Sequence, residues 1–264
     1  MTLANLLALQ RLQAFNATPQ GVQRLLAAAT RNLLDAQLAH RLVHDQKAVL
    51  EDMVRIRTEE LRGTRLQVVH RLGRAAEYRD NETGLHIIRM SQVSALLARS
   101  MGWTEDHCEL MLHASPMHDI GKIGIADAIL LKPGRLTPAE FEIMKTHASI
   151  GADMLAGDES DLLKLAHTIA LSHHEKWDGS GYPAGLAGEA IPMAGRIVAV
   201  ADVFDALTSS RPYKKAWPVE DAVAFMRENA GTHFDPEVVA QFLLRFQEII
   251  AITEFHADAA QESV

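Results

Sequence analysis

Apolar residues in this chain recur at three- and four-residue steps, and the apolar-polar alternation of a half-buried strand is nearly absent. Between about residues 20 and 75 the pattern runs through Leu25, Leu26, Leu33, Leu34, Leu38 and Leu42, then Val49, Leu50, Met53, Val54, Ile56 and Leu61, among many charges. That periodicity predicts an all-α fold opening on a helical arm. Its heptads are imperfect, with Gln46 and Glu60 at would-be seam positions, so a packed helical hairpin and a dimeric coiled coil both remain open. Gly63 and Thr64 mark a change of element before RLQVVHRLGRAAEYRD.

Beyond the arm the punctuation is clear. Thr104 fits the cap of a helix carrying Glu109 to His113, and in KPGRLTPAEF the residues Thr137, Pro138 and Glu140 fit N-cap, N1 and N3 of a capping box. His147 then falls inside a helix. DGSGYPAGLAGEAIP reads as a loop of roughly fifteen residues, long enough to suggest function. AGRIVAVADVFDAL returns to helix, GTHFDPEVV starts another with Asp235 as cap and Pro236 at N1, and ADAAQESV reads as a frayed tail. No internal repeat is visible.

A length of 264 residues with 48% hydrophobic content supports a substantial core. The net charge of -8 argues against binding a nucleic-acid polymer or an anionic membrane surface, so any phosphate must be gripped by a local basic cluster. A single cysteine, Cys108, excludes a disulfide framework and a thiolate-rich zinc site. The amino terminus MTLANLLALQRLQAF has neither an early basic cluster nor a long apolar run, which predicts a cytoplasmic protein without a signal peptide or membrane insertion.

Thirteen histidines stand out, nine of them between residues 70 and 174. Glu82 and His86 are four apart, so a helix projects both from one face. His118 and Asp119 are adjacent in HASPMHDIGKIGI, and Asp202 sits in the otherwise apolar VAVADVF, where an unpaired carboxylate is costly to bury and a divalent cation would neutralise it. Singly, each reads as an ordinary packed or solvated residue. Jointly, Glu82, His86, His118, Asp119, His147, His173, His174 and Asp202 offer five imidazoles and three carboxylates, more than one metal needs. Nitrogen and oxygen donors without sulfur suit iron, manganese or similar ions.

His118-Asp119 in HDIGKIGI, together with HHEKWDGSGYPAGL and ADVFDALTSSRPYKKA, resembles the HD-GYP domain, a branch of the HD metal-dependent phosphohydrolases that hydrolyses cyclic di-GMP. The resemblance runs from about residue 65 to 248. It implies an HD-domain helical bundle holding two or three divalent ions, commonly iron or manganese. By that resemblance His86, His118, Asp119 and Asp202 hold one metal, Asp119 bridges to a second held by His147, His173 and His174, and Glu82 matches a position that supports a third in some members. Arg211 and Lys214 match positions facing the substrate phosphates. The expected division is an arm over residues 1–64 for dimerisation or signal input, a catalytic domain over 65–250 with its glycine-rich GYP loop, and a tail over 251–264.

Two cations held by such residues could supply a hydroxide, by lowering the pKa of bound water from 15.7 to about 7, and could clamp the phosphate oxygens during in-line attack. Lys122, four residues after His118, turns towards the same site if the helix continues, where it stabilises the phosphate or the leaving oxygen; the alternative is a surface lysine before a loop. Gly179, Gly181 and Gly185 permit positive φ and close backbone approach to substrate. Tyr182 either stacks on or hydrogen-bonds a guanine, or pins the loop to the core. Trp177 reads as packing. Asp205 is either a partner orienting a ligand or an acid paired with Arg211. His70, His107, His113, His167, His233 and His256 have no place in the pattern.

The expected function is therefore a cyclic di-GMP phosphodiesterase giving the linear dinucleotide, with further cleavage to GMP left open. The alternatives are a cyclic-dinucleotide receptor without turnover, or an HD hydrolase of another nucleotide. Members often carry a receiver or sensing domain ahead of the catalytic part; here about 64 helical residues stand in its place, which implies an upstream sensor or receiver protein, or a chain that is a fragment of a longer one.

Overall fold

The computed structural model describes residues 3–16, 18–79, 84–157, 159–209 and 215–261. Among them no β-strand forms, only two isolated bridges, Asp178 with Ala187 and Ala230 with Phe234. The chain divides into two compact units, Met1–Gly63 and Thr64–Val264. No described helix is long and apolar enough to cross a membrane.

In the first unit, α1 (Leu3–Asn16) is followed by α2 (Pro19–Tyr78), which continues into the second. The break between them has a local cause: the Thr18 hydroxyl accepts from the Gly21 amide at 3.1 Å, and Pro19 takes the first helical position, where its missing N–H costs nothing. The change of element expected at Gly63 and Thr64 does not occur. One glycine costs a helix only about 1 kcal/mol, and strong helix formers surround this one. A hairpin folded within residues 20–75 is thereby ruled out, since α2 has no turn at which to fold. Its large apolar residues up to Leu61 stay in water, Leu33 at 65% exposure and Leu61 at 66%, whereas Val69 and Ala76 near its end are buried.

The second unit also holds α3 (Gly84–Ser100), α4 (Glu105–Ala114), α5 (Asp127–Leu130), α6 (Pro138–Leu155), α7 (Asp161–Ser172), α8 (Met193–Thr208), α9 (Val219–Glu228), α10 (Pro236–Leu244) and α11 (Phe246–Gln261). α8 is the central helix. It buries residues on every side, from Ala194 and Ile197 to Phe204 and Leu207, as its near-continuous apolar sequence requires. α3 packs along it, and α4, α7, α9 and α10 complete the layer around a core of Met90, Leu97, Met111, Ile169, Ile197, Phe204 and Phe242. Small residues allow close crossings: a Cβ on Gly195 would fall on the Ser172 hydroxyl of α7.

The helix starts follow local chemistry. Thr137 and Glu140 form the reciprocal capping box, with Pro138 at the first position. Asp235 accepts from the Glu237 amide at 2.8 Å and also from Arg196 at 2.6 Å, so one buried carboxylate caps α10 and ties it to α8. The tail expected from residue 251 begins later, because α11 runs to Gln261 and His256 hydrogen-bonds Gln92 of α3 at 3.0 Å.

Folding disfavours the protonated form of His233. Its ring lies flat on Phe234, with centroids 4.2 Å apart, while burial and the nearby Lys176 charge push its pKa down to about 4. A histidine depressed by folding contributes stability in full above its unfolded pKa near 6.5 and loses it as pH falls towards 4. We expect His233→Gln to remove part of the fall in melting temperature between pH 6.5 and 4 and to leave stability at pH 8 little changed. Thermal scans of both proteins across that range check it; parallel curves would refute it.

Candidate metal centre

Five elements of the second unit deliver the candidate ligands. α3 supplies His86, α6 His147, the C-terminal end of α7 His173 and His174, and α8 Asp202. His118 and Asp119 lie between two tight 3₁₀ turns, Ser115–Met117 and Ile120–Gly124, which follow α4. Two features hold that motif. A Cβ on Gly121 would fall on the carbonyl of His147, so only glycine lets the turn press against α6. Arg79, at the end of α2, donates to the carbonyls of Lys122, Ile123 and Ile125 and to Asp127.

The ligand atoms converge in two groups, Asp119 with His147, His173 and His174, and His86 with His118 and Asp202; within each group all lie within 4.8 Å of one another. Asp119 faces both. Its Oδ1 is 3.1 Å from His147 Nε2 and 3.6 Å from His173 Nε2, while its Oδ2 is 3.2 Å from His118 Nε2. Asp202 Oδ1 lies 3.4 Å from His86 Nε2 and 3.9 Å from His118 Nε2.

The ring tautomers show what these atoms lack. His118 Nδ1 bonds the Ser115 carbonyl at 3.1 Å, His147 Nδ1 the Met144 carbonyl at 2.7 Å, and His173 Nδ1 the carbonyls of Ile169 and Ala170. A carbonyl only accepts, so each Nδ1 carries a hydrogen, and when neutral each ring turns the Nε2 lone pair inward. Inward lies a carboxylate, another acceptor. Accordingly His118 Nε2, His147 Nε2, His173 Nε2 and Asp119 Oδ1 are buried without a hydrogen-bond partner. Converging lone pairs of nitrogen and oxygen with no sulfur fit a divalent cation, which would satisfy all of them at once.

Protons do part of that work in the metal-free chain. Burial pushes the His118 imidazole down, but the Asp119 carboxylate, with Asp202 behind it, outweighs burial and lifts it to about 9. Burial raises the Asp119 carboxyl, yet Lys122 and His118 hold it well below the usual range. His174, desolvated and beside His173, falls well below the ordinary histidine value.

A second layer orients the first. Asp205 accepts from His86 Nδ1 at 2.7 Å, from Arg89 at 2.6 and 2.8 Å, and from Ser209 at 3.1 Å. Of the two roles open for it, orienting a ligand is the one these bonds describe. Arg89 escaped sequence reading, although it lies one helical turn after His86. Lys122 reaches the centre by another route than a continuing helix: α4 ends at Ala114, Lys122 lies within the 3₁₀ turn Ile120–Gly124, and its Nζ lies 2.9 Å from Asp119 Oδ2. Glu82, Arg211 and Lys214 lie outside the described residues.

The GYP loop closes on itself. Glu175 is 3% exposed, and its carboxylate accepts from the amides of Ala184 at 2.8 Å and Leu186 at 3.0 Å. A Cβ on Gly181 would strike the backbone of Glu175 and Lys176; its φ is not positive, unlike those of Gly179 and Gly185, so its small size is needed by the loop itself. Tyr182 lies on the His174 ring, with centroids 4.7 Å apart, and so pins the loop to a candidate ligand. Arg196 stands over the Trp177 ring at 5.7 Å. Glu175 was missed because its partners are nine and eleven residues away, with no spacing rule to reveal them. Its loss has a local signature. Glu175→Ala should remove hydrogen-exchange protection at Ala184 and Leu186, with a global cost of about 1–3 kcal/mol. Glu175→Gln, retaining one acceptor oxygen, should restore one of the two amides. Unchanged exchange in both variants would remove Glu175 from this role.

A family model described as HD domain matches residues 48–238. The cyclic di-GMP phosphodiesterase response regulator RpfG of Xanthomonas campestris is 44% identical over 220 residues, covering 83% of this chain and 58% of that protein. A cyclic di-GMP phosphodiesterase of Thermotoga maritima is 50% identical over 183 residues, 69% of this chain and 50% of its own length. The 3'3'-cGAMP-specific phosphodiesterase 2 of Vibrio cholerae is 43% identical over 193 residues, 73% of this chain and 37% of its own length. The chain thus spans about half, or less, of the curated relatives it matches. It belongs to the HD domain family, in the HD-GYP branch that its HDIGKIGI and HHEKWDGSGYPAGL motifs mark.

Proposed function

We infer that the chain is a metal-dependent phosphodiesterase that opens cyclic di-GMP to the linear dinucleotide, and to GMP where the second bond is also cut. The observation that carries this reading is the Asp119 carboxylate, with one oxygen on each of two converging ligand groups. Relatives 44% and 50% identical named for cyclic di-GMP support the substrate.

Bound cations, two or three of iron or manganese, would neutralise the phosphodiester and activate the attacking water. His86, His118, Asp119 and Asp202 are the residues for one ion, Asp119, His147, His173 and His174 for the next, and Glu82 for a third. Lys122, held beside Asp119, brings a fixed positive charge to the leaving oxygen. Arg211 and Lys214 hold the outer phosphate oxygens, a task suited to a guanidinium and an ammonium. Gly181 and Tyr182 shape the loop wall beside the substrate. Exposed apolar residues along α2 support self-association of the arm as a homodimer, with an upstream sensor or receiver acting through it.

The test is chromatography of products after anaerobic incubation with cyclic di-GMP and Fe(II) or Mn(II). Appearance of linear dinucleotide supports the reading; intact substrate with metal-loaded protein would turn it into a receptor. The relative specific for cyclic GMP-AMP gives a second reading, decided by which dinucleotide is consumed faster.

A further inference from the structure

The rim of the metal centre carries an aromatic surface for which the chemistry above has no use. Phe141 sits in the first turn of α6 with 44% of its surface exposed. The ring is thus only partly packed, close enough to the candidate ligands to meet whatever they bind. Its ring meets Tyr182 edge-on, centroids 6.4 Å apart at 83°, and Tyr182 in turn lies on His174. The rings therefore step outward from a candidate ligand to the surface. Lys145, one helical turn after Phe141, places its ammonium 5.2 Å from the Phe141 centroid and 5.7 Å from that of Tyr182, steadied by Glu142 at 2.7 Å. A partly exposed aromatic ring beside a cation is a surface with which proteins grip single-stranded nucleotides: the base stacks and the phosphate meets the charge.

We propose that Phe141 forms the wall of a stacking site for one nucleobase of the dinucleotide, with Lys145 beside it facing the sugar-phosphate. The inference rests on the cyclic-dinucleotide reading of the same centre. Stacking reads a π-face that every base has, so the site supplies affinity for a purine nucleotide without choosing between guanine and adenine. Discrimination must come from elsewhere.

The experiment uses the full metal-loaded chain and two probes, GMP and ribose 5-phosphate, titrated by calorimetry. Phe141→Ala should weaken GMP about tenfold and leave ribose 5-phosphate unchanged, since only GMP has a base to stack. Phe141→Leu, which keeps apolar bulk without a π-face, should behave like alanine, and Phe141→Trp should restore binding. Equal loss for both probes would make Phe141 a support of the metal centre, and GMP binding unchanged in the alanine variant would remove the site; either overturns the proposal. Turnover of cyclic di-GMP is read separately on the wild type. Its absence alongside a Phe141-dependent GMP titration would sink the phosphodiesterase reading and leave the stacking site standing.

Discussion

If the chain hydrolyses cyclic di-GMP as proposed, Asp119→Asn should lose turnover by at least about a thousandfold, equivalent to about 4 kcal/mol of transition-state stabilisation. The substitution changes almost no volume, so the fold should survive it. It removes the charge that faces His118, His147 and His173 together and that holds Lys122 at 2.9 Å. No other described carboxylate replaces it, because Asp202 stands with His86 and His118 alone. Both ligand groups are therefore weakened by one change, and Lys122 loses the partner that fixes its position. The accompanying measurement is metal content by elemental analysis after equal loading with Mn(II), which should fall below half that of the wild type. Turnover within tenfold of the wild type would place the reaction's centre elsewhere, and full metal content would show that Asp119 is not needed to hold the ions.

Loading with Mn(II) or Fe(II) should raise the melting temperature by about 8–16 °C, and the rise should grow with pH. A ligand present at a thousand times its dissociation constant stabilises by about 4 kcal/mol, and a domain of this size gains about 2–4 °C for each kcal/mol. The pH dependence follows from His118. Its folded pKa, about 9, lies above the unfolded value near 6.5 because Asp119 outweighs burial. In the metal-free chain that proton stabilises the fold fully below pH 6.5 and ceases to as pH rises through 9. A cation needs the same lone pair, so each pH unit below 9 costs apparent affinity up to about tenfold for this one proton. Metal-free protein thus loses stability from pH 6.5 to 9 while metal-loaded protein keeps it. Scanning calorimetry with Mn(II) and with chelator at several pH values reads the gap. A gap that stays constant or narrows as pH rises would show that His118 is not a ligand.

Much of this architecture lies open in local sequence. Thr137, Pro138 and Glu140 specify a helix start within four residues, and Asp235 with Pro236 does the same, because a cap needs only a side-chain oxygen and nearby amides. Gly63 misleads for the converse reason: its local penalty is small and its neighbours outvote it. Lys122 was expected on a continuing helix, but Gly121 pressed against the His147 carbonyl makes a 3₁₀ turn instead, and that packing belongs to α6, not to the motif. Arg79, Arg89 and Glu175 were invisible as site residues because each acts through a partner that folding alone brings near, Arg89 through Asp205, 116 residues away.

By itself the sequence determined the donor chemistry, imidazole and carboxylate without thiolate, and the all-helical periodicity that carries it. Local backbone also decides the tautomer of three candidate ligands, since His118, His147 and His173 each turn Nδ1 to a carbonyl three or four residues back. Only tertiary structure decided that the freed lone pairs meet. The ligands come from helices and turns distant in the chain, and their convergence on Asp119 depends on buried packing against α8 and on glycines that admit close backbone approach. A spacing rule reaches one helical turn; side chains on separate elements acquire a common centre only when the core between them closes.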